Sequence, residues 1–154
     1  LAALVVGVST VACAREDHAR VGDLEVSVPW SRATPPQAPV AGGFLTIRNR
    51  GGTDDRLLAV ESAAAARVEI HEVRHEGEVA KMREVTAGLP LPAGATVVLK
   101  PGGYHLMFIG PAEPFTAGRQ VPAVLVFERA GRLEVAFEVR PVGAPSPGAG
   151  TAHH

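Results

Sequence analysis

The chain has 154 residues, and 15 Lys and Arg against 16 Asp and Glu give it a formal net charge of −1. A protein that binds nucleic acid needs a basic surplus to neutralise phosphates, so this balance argues against nucleic acid as a partner. The 17 Gly and 13 Pro residues are too many for a helical bundle and favour one domain made of strands and turns.

The first 14 residues are predicted to be a truncated secretory signal peptide. Residues 1–14 are apolar and uncharged, yet shorter than the roughly 20 residues that a membrane-spanning helix needs. The segment either ends in an A-x-A cleavage site at 12–14 or is of the lipoprotein type, with a lipid anchor on Cys13. Both alternatives place the mature domain outside the cytoplasm, in the periplasm or on the outer face of the membrane.

Residues 23–140 are predicted to form a single β-domain after a polar lead-in at 15–22. Short apolar runs alternate with turn signals, and the alternation of apolar and polar residues is most regular at 133–139. The predicted strands are 24–28, 41–49, 57–60, 68–73, 79–85, 96–99, 104–109, 121–127 and 133–139. This pattern indicates an all-β fold, an antiparallel β-sandwich or barrel.

Two segments depart from this strand pattern. The Ala-rich residues 62–66 have high helix propensity, so a helix competes with a strand there. Residues 141–154 are rich in Pro, Gly and Ala without apolar periodicity, which predicts a disordered tail.

The sequence HEVRH at 71–75 matches the H-E-x-x-H motif of zinc hydrolases. On a helix, His71 and His75 would share a face and bind zinc while Glu72 acts as a base. On a strand the two histidines would be roughly 13 Å apart, too far to share one ion. The surrounding β-branched residues favour a strand, so a small zinc metallohydrolase is the alternative hypothesis.

A second group of residues suggests a copper site. His105 and Met107 would share one face of a strand, and imidazole with thioether suits copper, particularly Cu(I). His71 and Met82 are separated by ten residues, and a turn at 76–77 would bring them together across a hairpin. The competing interpretation is that both methionines fill gaps in the core of a metal-free interaction domain.

These residues resemble the periplasmic copper chaperones known as PCu(A)C proteins. The His71–Met82 spacing agrees with the family motif, and Met82 and His105 are separated by twenty-two residues, one more than in the motif. The additional residue falls in the 87–95 connection. Further agreement, all within 23–140, lies in PWSRATPP, TIRNRG, DDRL, VEIHE, KMRE, PGGYHLM and VPAVLVFERAG.

The resemblance implies a cupredoxin-like β-sandwich that holds copper, mainly Cu(I), with His71, Met82, His105 and Met107. It also implies a carrier without catalytic activity, which delivers copper to an acceptor such as the copper subunit of cytochrome oxidase or its assembly factors. We expect a monomer. Since imidazole binds a metal only when neutral, copper affinity is expected to fall as the pH drops through about 6.5.

Overall fold

The computed structural model describes residues 18–145, and within this range the regular elements are strands, with no helix. Residues 1–14 of the expected signal peptide, Cys13 included, and residues 146–154 of the expected tail lie outside the described residues. The strands are β1 His18–Val21, β2 Leu24–Arg32, β3 Val40–Asn49, β4 Asp55–Glu61, β5 Ala65–Glu76, β6 Val79–Glu84, β7 Leu89–Leu91, β8 Thr96–Leu99, β9 His105–Pro111, β10 Gln120–Phe127 and β11 Gly131–Arg140. Over residues 18–145, no helix of the length and apolarity needed to cross a membrane is found.

The strands form one continuous sheet. Hydrogen-bonded neighbours follow the order β6-β5-β9-β3-β2-β11-β10-β4-β7, with β1 beside β2 and β8 beside β3. The β11–β2 junction is parallel, whereas the other pairings are antiparallel. The all-β fold predicted from the sequence is therefore confirmed, with one parallel junction that the pattern of turns did not indicate.

The sheet folds over on itself and encloses the core. The rings of Phe108 in β9 and Phe137 in β11 meet edge to face with centroids 5.5 Å apart. In a flat sheet the same strands would be about 14 Å apart, because β3 and β2 lie between them. Phe115 also packs edge to face against Phe108, with ring centroids 5.3 Å apart. All three side chains have no exposed surface, so the face of β9 that carries Phe108 lines the core.

The helix that competes at 62–66 does not form. Residues 63–64 make a turn, and β5 begins at Ala65. Ala64 is buried against the core, and its carbonyl accepts a hydrogen bond of 2.9 Å from the amide of Ala112. Tertiary packing and a backbone hydrogen bond outweigh the helix propensity of alanine here.

A bulge in β2 moves the single tryptophan to the outer face of the sheet. Ser27 pairs with Thr46 but Trp30 pairs with Phe44, so β2 holds one additional residue between them. Val28 takes a φ of 49° at this bulge, a costly conformation for a β-branched side chain. The result places Trp30 against Phe44, with ring centroids 4.5 Å apart, on the face opposite the core.

Candidate metal centre

Strands β5 and β9 place three of the predicted ligands beside one another. His71 lies directly opposite His105 in the antiparallel pairing, and their ring centroids are 5.7 Å apart. Met107 lies two residues after His105 and therefore on the same face of β9. The alternate residues Leu106 and Phe108 point into the core and have no exposed surface. The outer face of these two strands thus carries both imidazoles and one thioether.

Met82 approaches the same face from the edge strand β6. It pairs with Val73, which shares a face with His71 because the two residues are two positions apart on β5. Met82 is therefore a diagonal neighbour of His71, and diagonal neighbours in an antiparallel pair have Cα atoms about 7–8 Å apart. Gly77, with a φ of 63°, makes the turn that joins β5 and β6. The structure brings all four predicted residues to one face of three adjacent strands.

Each of the two histidines has one ring nitrogen in a hydrogen bond. Nε2 of His71 lies 2.7 Å from a carboxylate oxygen of Glu69, and Nδ1 of His105 lies 3.0 Å from the carbonyl oxygen of Gly103. Nδ1 of His71 is buried and has no hydrogen-bond partner among the described residues. An unpaired buried ring nitrogen costs free energy, and a bound metal ion would satisfy it.

Glu69 is the residue that the sequence reasoning missed. It pairs with Met107 across the β5–β9 ladder and accepts a second hydrogen bond of 2.7 Å from Nε of Arg67. The hydrogen bond from His71, followed by that from Arg67, holds the pKa of Glu69 below its usual range. Its position two residues before His71 on a strand was the signal that could have identified it.

The zinc geometry of the HEVRH segment does not form. His71 and His75 lie four residues apart within β5, about 13 Å along a strand. Glu72 projects from the other face, where Arg74 and Arg83 donate to its carboxylate at 2.8 and 2.7 Å. Over residues 18–145, no cluster of three or more His, Cys, Asp or Glu side chains is placed to hold a metal ion.

The methionines also do not behave as core residues. Met82 is 54% exposed, and Met107 is half-buried on the outer face. The core of the described residues contains neither of them. The interpretation of both as gap-filling core residues is therefore not supported by their burial.

The sequence matches the family described as "Putative lipoprotein LpqE-like" over residues 24–139. The chain belongs to the LpqE-like family. It is also 29% identical over 117 residues to the "Putative lipoprotein Lxx21020" of Leifsonia xyli subsp. xyli (strain CTCB07), which covers 76% of this chain and 69% of the relative.

The solved structures that are similar to this LpqE-like protein include the following three. The copper-bound PCuAC domain from PmoF2 shares 25% identity with a TM-score of 0.69, over 80% of this chain and 97% of that domain. The apo PCuAC domain from PmoF1 shares 26% identity with a TM-score of 0.69, over 80% and 98%. The CuI-DR1885 solution structure from Deinococcus radiodurans shares 25% identity with a TM-score of 0.62, over 78% of each chain. The resemblance to the PCu(A)C proteins and the cupredoxin-like fold are thereby confirmed.

Proposed function

We propose that this LpqE-like protein is an extracytoplasmic copper chaperone that carries one Cu(I) ion on His71, Met82, His105 and Met107. The observation that carries the proposal is the convergence of two imidazoles and both methionines of the chain on one face of β6, β5 and β9. Among the structures with this fold, one is named as copper-bound and one as CuI-loaded. These likenesses support a copper chaperone role.

The ligand types suit a carrier that works in an oxidising compartment. Thioethers are soft, neutral ligands that prefer Cu(I) to hard cations. Unlike a thiolate, they do not form disulfides in such a compartment. Both imidazoles keep one nitrogen for a metal, because a hydrogen bond to Glu69 or to Gly103 occupies the other. The site therefore binds copper without any proton having to leave a thiol.

The position of Met82 supports release to an acceptor. Met82 lies on the edge strand β6, whose six residues are all exposed, whereas His105 is only 6% exposed. An incoming ligand from a partner can reach the ion from the side of Met82 and replace this thioether first. We propose a copper-accepting protein as the partner, such as the copper subunit of cytochrome oxidase or one of its assembly factors. The protein itself catalyses no reaction in this scheme and acts as a monomer.

The proposal extends to the organisation of the chain. Residues 23–140 would be the copper-binding domain, preceded by a signal peptide at 1–14 and a lead-in at 15–22, and followed by a tail at 141–154. The lipoprotein descriptions of the family and of the Leifsonia relative support a lipid anchor, with Cys13 as the residue that carries it. The domain would then work in the periplasm or on the outer face of the membrane.

The test is an anaerobic Cu(I) titration of the chain against a competing chromophoric chelator. Wild type is compared with the double variant Met82→Leu and Met107→Leu, since leucine retains the size of methionine, and circular dichroism reports the fold. We expect one Cu(I) per chain in wild type and its loss in a folded double variant. His75→Ala is the matched control, because His75 lies on the same face of β5, four residues from His71, and it should bind as wild type.

Two results would contradict the proposal. Undiminished Cu(I) binding in the double variant would exclude the methionines as ligands. Zn(II) binding that requires both His71 and His75, without any Cu(I) binding, would favour the metallohydrolase instead.

A further inference from the structure

We propose that Glu69 is a positioning residue that fixes the tautomer of His71, so that the two histidines offer copper different ring nitrogens. His71 would bind through Nδ1 and His105 through Nε2. The copper part of this inference rests on the proposed function, whereas the tautomers are properties of the metal-free chain.

The tautomer of His71 follows from its contact with Glu69. An ionised carboxylate only accepts hydrogen bonds, so the 2.7 Å contact places the proton of His71 on Nε2. Both side chains are shielded, with 15% and 17% of their surfaces exposed. Nδ1 then holds a lone pair, and this atom is buried without a hydrogen-bond partner among residues 18–145. It is the ring nitrogen of His71 left to bind a metal.

Glu69 is itself held in place by hydrogen bonds to both of its carboxylate oxygens. Arg67 donates to Oε1 of Glu69 at 2.7 Å, while His71 donates to Oε2. Each carboxylate oxygen therefore has one donor, and the plane of the carboxylate is set by both. A residue that orients a metal-binding histidine in this way typically affects metal affinity without contacting the ion.

The tautomer of His105 follows from a backbone contact. The carbonyl of Gly103 accepts from Nδ1 of His105 at 3.0 Å, which leaves Nε2 for a metal. The turn that presents this carbonyl is closed by two hydrogen bonds, from Gly103 N to Lys100 O at 3.0 Å and from Lys100 N to Tyr104 O at 2.9 Å. No side chain is needed to fix this second tautomer.

The asymmetry has a consequence for the position of the ion. Nδ1 is bonded to the ring carbon that carries Cβ, so it is close to its own backbone, whereas Nε2 is at the far end of the ring. An ion held by Nδ1 of His71 and Nε2 of His105 would therefore lie nearer β5 than β9. This displacement is toward β6, the strand that carries Met82. The choice of nitrogen thus helps an edge-strand thioether reach the same ion.

The test is a long-range ¹H–¹⁵N correlation spectrum of the ¹⁵N-labelled metal-free chain at about pH 8, where an unperturbed imidazole is neutral. We expect His71 to carry its proton on Nε2 and His105 on Nδ1. Because Cu(I) is diamagnetic, the same spectrum can be recorded after anaerobic Cu(I) addition. The resonances of Nδ1 of His71 and Nε2 of His105 should then move most.

Variants separate positioning from a merely structural role. Glu69→Ala should convert His71 to a mixture of tautomers and lower Cu(I) affinity by roughly 10–100-fold. Glu69→Gln, whose amide oxygen can still accept from Nε2, should restore most of both properties. Glu72→Ala is the matched control, since Glu72 lies on the same strand with 13% of its side chain exposed but pairs with arginines on the other face. It should change neither tautomer.

The outcomes distinguish this inference from the proposed function. A wild-type spectrum with the proton of His71 on Nδ1 would overturn it, and so would an unchanged His71 tautomer in folded Glu69→Ala. Cu(I) bound through Nε2 of His71 would leave the chaperone standing and refute the role of Glu69. A chain that binds no Cu(I) would refute the chaperone and the ligand assignment, while the metal-free spectrum still decides the tautomer.

Discussion

The two methionines of the chain lie on one face of the sheet in contrasting surroundings. Met107 is on β9, which is paired on both sides, with β5 and with β3. Met82 is on β6, which ends the described sheet, and it is 54% exposed. An interior strand holds its side chains in place before any ligand arrives, whereas an edge strand opens at low free-energy cost. The proposed site would therefore combine a preorganised part with one exchangeable ligand.

The two faces of β9 also differ in their surroundings. Its core face carries Leu106 and Phe108, which have no exposed surface. Its outer face carries His105 and Met107, two of the proposed ligands, which lie outside the hydrophobic core of the described residues. A single strand would thus separate core packing from the proposed copper binding, because successive side chains point to opposite faces. Substitutions can test this separation directly.

The largest effect is expected on the core face. Phe108→Ala should lower the free energy of unfolding by about 3–5 kcal/mol, because it leaves a cavity between the two sides of the folded sheet. Met82→Ala, at the exposed edge, should change it by less than about 0.5 kcal/mol. Urea denaturation of both variants measures the difference. Equal destabilisation would show that the edge strand is not energetically separate from the core.

Loss of an interior ligand should have the next largest effect. His105→Ala is expected to weaken Cu(I) binding by more than about 100-fold. Loss of a residue that only orients a ligand costs up to about 100-fold in metal affinity, and loss of the ligand itself should cost more. A factor of 100 in affinity corresponds to about 2.7 kcal/mol of binding free energy. Chelator competition measures it, with His18→Ala in β1 as the control that should retain wild-type affinity. A loss below tenfold would remove His105 from the ligands.

The two methionines should differ in kinetics as well as affinity. Met82→Leu is expected to speed Cu(I) release by about tenfold, since changes in affinity are mostly changes in dissociation rate. Met107→Leu should weaken binding further, because its position is held between two strands and a replacement ligand cannot easily occupy it. Stopped-flow transfer of Cu(I) to a chelator compares the two single variants. Identical release rates would mean that the edge position gives Met82 no special role.

The smallest effect is expected far from both methionines, at Glu25 on β2. A hydrogen bond from Arg50, together with nearby Arg20, holds the pKa of Glu25 below its usual value of 4.5. A carboxylate whose pKa is lower in the folded state stabilises the fold above its unfolded pKa, and the contribution is lost as the pH falls through its folded pKa. Glu25→Gln should therefore lower the urea midpoint slightly at pH 7.

The control for Glu25 is the same pair of proteins at pH 3. The urea midpoints of the two proteins should be closer at pH 3 than at pH 7, since pH 3 is below the usual pKa of 4.5 and the stabilisation from the carboxylate is smaller there. Cu(I) affinity at pH 7 should be unchanged. A midpoint difference that grows on acidification would contradict the sign of this linkage.

The sequence by itself determined the strands that carry the site and the faces of their residues. A side-chain period of two is a local property of an extended chain. It therefore put His105 and Met107 on the same face of β9, whichever strands became the neighbours of β9. The Gly77 turn likewise determined that β5 and β6 would pair. Composition and turn spacing were sufficient for the all-β class.

Only the tertiary structure decided which strands became neighbours beyond the local hairpins. The pairing of His71 with His105 joins residues far apart in sequence, and no local pattern encodes such a register. The same holds for β1 in the lead-in, for β7 in the 87–95 connection and for the bulge that turns Trp30 outward. The hydrogen bonds of Glu69 and Gly103 to the histidines depend on this assembled geometry, because they exist only once the strands that carry them are packed against a common core.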